Sequence, residues 1–221
     1  MQRIWRENGL SIVLFTLFFI FLAGQTLTGH SEYNQSQEEH GQPQVGLGEY
    51  VRTGHYIEAV FENWESEFLQ MGAYVLFTAY LFQKGSAESK KLGEKEPVDE
   101  DPSQSKDDPN APGPVKQGGW LLTLYKHSLS LAFVVLFLLS FSLHAIGGTE
   151  EYNSEQIEHG EQPVSVTGYL GTSRFWFESF QNWQSEFMAV GAIVVLSIFL
   201  REQGSPESKP VASPHSKTGS A

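Results

Sequence analysis

Four blocks of apolar residues, almost free of charge, limit what this chain can fold into: Leu10–Ala23, Phe68–Phe82, Leu129–Ile146 and Phe187–Leu200. A helix needs ~20 mostly apolar residues to cross a ~30 Å hydrocarbon core. With their small and uncharged neighbours, the first and third blocks approach that length. The second and fourth are shorter, and a helix of 15 residues, the length of Phe68–Phe82, rises only about 22 Å. Starting these two helices upstream, near Phe61 and Phe180, restores the length but brings Glu67 and Glu186 into or beside the apolar zone. The averages conceal this pattern, since the 221 residues are 40% hydrophobic and 18% charged. With 14 Lys and Arg against 26 Asp and Glu, no basic surface is expected and nucleic acid is not an expected partner. The absence of cysteine excludes disulfides, thiolate metal sites and cysteine nucleophiles.

The chain also repeats itself. Shifting the numbering by about 119 aligns Leu10–Lys90 with Leu129–Lys209 without a gap, and about 30 of roughly 81 pairs are identical. The identities concentrate outside the apolar blocks. Glu32-Tyr33-Asn34 returns as Glu151-Tyr152-Asn153, and Glu39-His40-Gly41 as Glu158-His159-Gly160. F-x-N-W-x-S-E-F occurs at Phe61–Phe68 and Phe180–Phe187, and G-S-x-E-S-K at Gly85–Lys90 and Gly204–Lys209. This predicts an all-α integral membrane protein with four transmembrane helices as two tandem parallel-repeat hairpins, and short interfacial helices in the outer loops. The first hairpin occupies residues 1–90, with spans about 9–29 and 61–83; the second occupies 120–203, with spans about 127–147 and 180–201. Residues 91–119, which contain all four aspartates, and the tail 204–221 are expected to be disordered, because neither has apolar surface to bury. Although the first block resembles a signal peptide, its partner lies mid-chain, so both are expected to be retained.

Basic residues orient the hairpins. Only Arg52 and Arg174 lie in the loops following the first and third blocks; the other 12 basic residues lie in the N-terminal tail, linker and C-terminal tail. The positive-inside rule then places both termini and the linker in the cytoplasm. On this reading the outer segments hold 15 glutamates against two arginines, so the net charge of −12 resides almost wholly outside. Trp5 and Trp120 fall at inner ends and Trp64 and Trp183 at outer ends, as aromatic belts do.

Candidate functional residues follow from the repeats. In N-W-x-S-E-F, the residues Asn63, Trp64, Ser66 and Glu67, with Asn182, Trp183, Ser185 and Glu186, set two carboxylates close to the apolar zone. Intramembrane carboxylates mark ion or proton pathways; the alternative is an interfacial pair favoured by the helix dipole and anchored by the tryptophans. His40 and His159 read either as metal or pH-sensing groups or as C-terminal caps before Gly41 and Gly160. The cap is the simpler reading, because no second ligand stands at metal spacing. The outer loops, with Tyr50, Tyr56, Phe61, Tyr169, Phe175, Trp176 and Phe177, read as an exposed acidic and aromatic platform or as an amphipathic segment in the headgroup zone. Gly72, Ala73 and Ala79, with Ser185, Ala189 and Ala192, suit close helix packing. No nucleophile elbow, phosphate-binding glycine loop, zinc motif or nucleotide fingerprint occurs, so no cofactor, metal or catalytic residue is assigned.

The paired motifs, together with Arg6-Glu7-Asn8-Gly9-Leu10-Ser11 and Gly171–Trp176, resemble a family of bacterial multi-pass membrane proteins known only as a domain of unknown function. The resemblance implies bacterial origin and an integral location in the inner (plasma) membrane, and it carries no activity, substrate or catalytic residue. The expected function is a non-enzymatic scaffold or envelope factor, with the lipid bilayer, further copies or another membrane protein as partners. The alternative is a small cation or proton conduit using Glu67 and Glu186.

Overall fold

The computed structural model describes residues 2–220, and among them every regular element is helical. Helix α1 runs Gln2–Glu39, α2 Leu47–Tyr50, α3 Gly54–Tyr80, α4 Gly113–Gln117, α5 Gly119–Lys126, α6 Ser128–Glu158, α7 Val166–Tyr169 and α8 Ser173–Phe199. Three helices are long and apolar enough to cross a membrane, within Arg3–Glu39, Ser128–Glu158 and Ser173–Phe199. The fourth long helix, α3, carries Glu58, Glu62, Glu65 and Glu67 in its first half, which lowers its apolar content.

The long helices start or end beyond the expected spans. No proline or positive-φ glycine interrupts α1 before Gly41 (φ 68°) or α6 before Gly160 (φ 75°). The E-Y-N segments therefore extend these helices instead of forming separate short ones. The helices in the loops after α1 and α6 are the single turns α2 and α7, too short to bury an amphipathic face in a headgroup layer. The ends of α1 and α6, the starts and ends of α2 and α7, and those of α3 and α8 all differ by the offset of the sequence repeat.

Apolar and polar side chains are distributed inside-out. Leu10 is 76% exposed and Phe21 68%, while Glu65 and His144 are fully buried and Ser66, Gln70, Ser140 and Ser179 are buried as well. Water would penalise that pattern; hydrocarbon favours it, because lipid solvates leucine and phenylalanine while polar groups must satisfy one another internally.

Two compact units divide the chain: Met1–Phe61 with Ser142–Phe175, and Glu62–Phe141 with Trp176–Ala221. In the first, backbones meet at glycines. A Cβ on Gly54 would lie 2.6 Å from the Gly147 carbonyl oxygen and 2.8 Å from the Glu151 nitrogen. One on Gly147 would lie 2.7 Å from the Glu58 nitrogen. In the second, a Cβ on Gly72 would approach Phe133 Cβ to 3.1 Å.

Residues 91–119 and the tail depart from the expected disorder. The linker forms 3₁₀ turns at Pro97–Asp99 and Pro102–Ser105, followed by α4. Its aspartates order it locally: Asp101 accepts from Ser103 N at 3.0 Å, Asp108 from Asn110 N at 2.8 Å, and Asp99 pairs with Lys90 at 2.6 Å. Asp99 and Asp101 are held below the usual carboxylate range, Asp99 first by its bond from Lys90 and Asp101 by that from the Ser103 backbone. Side-chain capping of turns requires no apolar burial. The tail packs by the same means, as described below.

Candidate functional site

The sequence repeats place local polar bonds at matching positions. Asn34 binds Val45 through both its carbonyl and its backbone amide, at 3.0 and 2.8 Å, and Asn153 binds Val164 likewise, at 2.9 and 2.7 Å. These clamps close the loops after α1 and α6. His40 Nδ1 lies 2.8 Å from the Ser36 carbonyl, and His159 Nδ1 2.7 Å from that of Glu155. Both imidazoles are exposed and occupy the last helical turn before a left-handed glycine, the geometry of C-terminal caps.

The aromatics of the loops after α1 and α6 do not form a uniformly exposed set. Tyr50, Tyr169 and Phe175 are fully buried. Each tyrosine hydroxyl lies against a glycine at a repeat-equivalent position, Gly29 for Tyr50 and Gly148 for Tyr169, and neither glycine has room for a Cβ. Tyr50 stacks among His30, Tyr33, His55 and Tyr56, with ring centroids 5.4–5.8 Å apart, and its hydroxyl lies 3.1 Å from His55 Nδ1. Burial, reinforced by the Glu32 charge, pushes its phenol up to about 12. Tyr169 packs on Tyr152 and Phe175 and donates to Glu58 at 3.2 Å. His144 stacks on Phe175 at 4.8 Å. Trp176 and Phe177 remain exposed. A small residue opposite each tyrosine lets the ring enter; a large one would keep it in the loop.

Within the second unit Asn182 and Trp183 of one motif copy meet the variable positions of the other copy. Trp183 Nε1 donates to Glu65 at 2.9 Å, and Asn182 donates to Glu62. Trp183 is therefore bonded inside the protein, and its ring packs on Phe137, Trp176 and Phe180. Ser66 is buried and donates to the Asn63 carbonyl at 2.7 Å; Ser185 is exposed and donates to that of Asn182 at 2.9 Å. Asn63 and Glu67 are exposed, Trp64 and Glu186 half-buried. Glu58, Glu62 and Glu65 have no acidic counterpart in the repeat. Their i, i+4, i+7 spacing was the available signal, since it puts three carboxylates on one helix face.

At the ends of α3 and α8 the second unit contains a fully buried lysine. Lys209 Nζ donates to the carbonyl oxygens of Gly85, His215 (3.0 Å) and Lys217 (2.8 Å). Burial pulls its ammonium below the usual lysine range, because carbonyl dipoles replace water only in part.

The model of a family described as a domain of unknown function (DUF6766) matches residues 1–220. The chain belongs to that family. No curated protein and no solved structure matches it. DUF6766 membership spans the helices, the linker and the tail together, so the interhelical bonds and the lysine cage all lie within one family domain.

Proposed function

We propose that this DUF6766 protein is a non-enzymatic membrane scaffold or envelope factor built from four spans, α1, α3, α6 and α8. The hairpins run the same way up, related by a pseudo-two-fold axis along the membrane normal, with termini and linker on the cytoplasmic side of a bacterial inner membrane. Its partners are the bilayer and further copies or another membrane protein. The observation that carries the reading is the use made of the α3 carboxylates. Glu58 is engaged by Tyr169, Glu62 by Asn182 and Glu65 by Trp183. Such bonds tie segments of the two repeats together, which is the role polar side chains play where water is absent. The matched helix ends and asparagine clamps support the duplication.

A second reading, a cation or proton conduit, is favoured by Glu67 and Glu186, which stand at equivalent positions of the two repeated motifs beside the apolar blocks. Flux into proteoliposomes separates the two. The scaffold gives no proton or alkali-cation flux above protein-free vesicles. Flux that disappears in the Glu67→Gln, Glu186→Gln double variant overturns it in favour of the conduit. Because the chain has no native cysteine, single cysteines introduced at Gln42, Gln162 and Lys106 test the topology with an impermeant thiol reagent. The first two are expected to label from outside intact cells and the third only after lysis.

A further inference from the structure

We propose that the second unit carries a binding site for a phosphate-bearing anion, formed where the C-terminal tail folds back on the segment after α3. A cavity of about 520 Å³ there is lined by Lys84, Lys91 and Lys217, with Ser216, Thr218 and one carboxylate, Glu94. Three ammonium groups and two hydroxyl-bearing residues on one cleft match the chemistry of a phosphoryl group, which takes charge and several hydrogen bonds together. None of the three lysines forms an ion pair with a carboxylate among the described residues.

The lysines come together through built contacts. The buried Lys209 gathers the tail by binding the carbonyls of Gly85, His215 and Lys217. Gly85 N donates to Thr218 Oγ1 at 2.8 Å, and Gly219 N to the Ser86 carbonyl at 2.9 Å. Arg201 at the end of α8 donates to the Ser213 carbonyl at 3.1 Å. Lys217 is thereby carried to Lys84 and Lys91, more than a hundred residues earlier in the chain. The carbonyl cage encloses the Lys209 charge, so the three cleft lysines present the charge a ligand meets. Lys84 stands four residues beyond the end of α3. On the four-span reading, on which this placement rests, the cleft lies at the cytoplasmic headgroup level, where basic pockets hold anionic lipid headgroups.

The test uses the full chain in neutral detergent, titrated with soluble short-chain phosphatidylglycerol, short-chain phosphatidylcholine or inorganic phosphate and read by native mass spectrometry. Phosphatidylglycerol is expected to be retained by the wild type and by a control triple variant, Lys95→Gln, Lys106→Gln and Lys116→Gln. Its affinity is expected to fall by roughly tenfold or more in Lys84→Gln, Lys91→Gln, Lys217→Gln. Equal losses in the two triples, or phosphatidylcholine binding as well as phosphatidylglycerol, overturn the site. Retention of inorganic phosphate, or its displacement of the lipid, sustains the site with a free anion as its ligand; retention of lipid alone sustains it for a headgroup. A Lys→Arg triple that binds like wild type shows that a loss in the Gln triple arises from charge and not misfolding. Should a cysteine at Ser216 label from outside intact cells, the four-span orientation fails while micellar binding, and the site, stand.

Discussion

Helices α3 and α8 each have 27 residues and carry F-x-N-W-x-S-E-F at the same place, yet after the first turns they bury different residues. Val60 and its equivalent Ser179 are both buried. Beyond them α3 buries Glu65, Ser66 and Gln70 and leaves Asn63 and Glu67 exposed. In α8, Ser185 and Gln184 are exposed, while Asn182, Trp183 and Glu186 are half-buried. The identical residues set the local backbone, whereas the unshared ones set the burial. Glu62 and Glu65 align with Gln181 and Gln184 in sequence, and the carboxylates accept bonds from the other copy's Asn182 and Trp183. The two helices are equal in length, and a few Glu/Gln differences make one the acceptor and the other the donor.

The comparison breaks most severely at the helix starts. Gly54 has a serine, Ser173, as its equivalent. Gly54→Leu drives its side chain into the backbone of Gly147 and Glu151 and is expected to destabilise by about 3 kcal/mol. Ser173→Gly at an exposed position is expected to change stability by less than about 1 kcal/mol. Melting of the purified protein in one detergent ranks the pair, and equal shifts contradict the close approach.

Next in size is the acceptor itself. Glu65→Ala removes the acceptor of the Trp183 indole and is expected to cost about 1–3 kcal/mol, whereas Glu65→Gln keeps a carbonyl there and costs less. Gln184→Ala on the exposed face of α8 is expected to stay within about 0.5 kcal/mol. Trp183 fluorescence, read in a variant that lacks the other tryptophans, is expected to shift on Glu65→Ala and not on Gln184→Ala. If both shift alike, the division into acceptor and donor helices is wrong.

The smallest effect concerns Tyr50, whose hydroxyl meets His55 where that of Tyr169 meets Glu58. Burial raises the Tyr50 phenol from 10.0 to about 12, so in that range the folded protein holds a proton that the unfolded chain releases. Stability from this group is complete below about pH 10 and is lost as pH rises toward about 12. Unfolding measured across that window is expected to show a shallower decline in Tyr50→Phe than in wild type. An unchanged slope removes the buried phenol as its cause.

Much of this architecture was readable in the chain itself. Apolar blocks between Leu10 and Ala23 and between Leu129 and Ile146 are sufficient to specify helices of membrane-crossing length, because hydrocarbon demands that backbone groups bond within the segment. Repeated short motifs specify repeated turns, and the caps at His40 and His159 follow from a glycine that alone accepts positive φ. Side chains that act across long separations were not readable. Glu58, Glu62 and Glu65 were legible only as a spacing, and Tyr50, Tyr169 and Phe175 looked like exposed loop aromatics until Gly29 and Gly148 admitted the tyrosines. Lys209 was an ordinary lysine in a polar tail until the carbonyls of Gly85, His215 and Lys217 enclosed it. Periodicity and composition are local properties, so they determine helices, turns and their repetition. Which polar group meets which depends on chain separations that no local pattern encodes, so tertiary packing alone decided the bonds among the α3 carboxylates and the convergence of three lysines on one cleft.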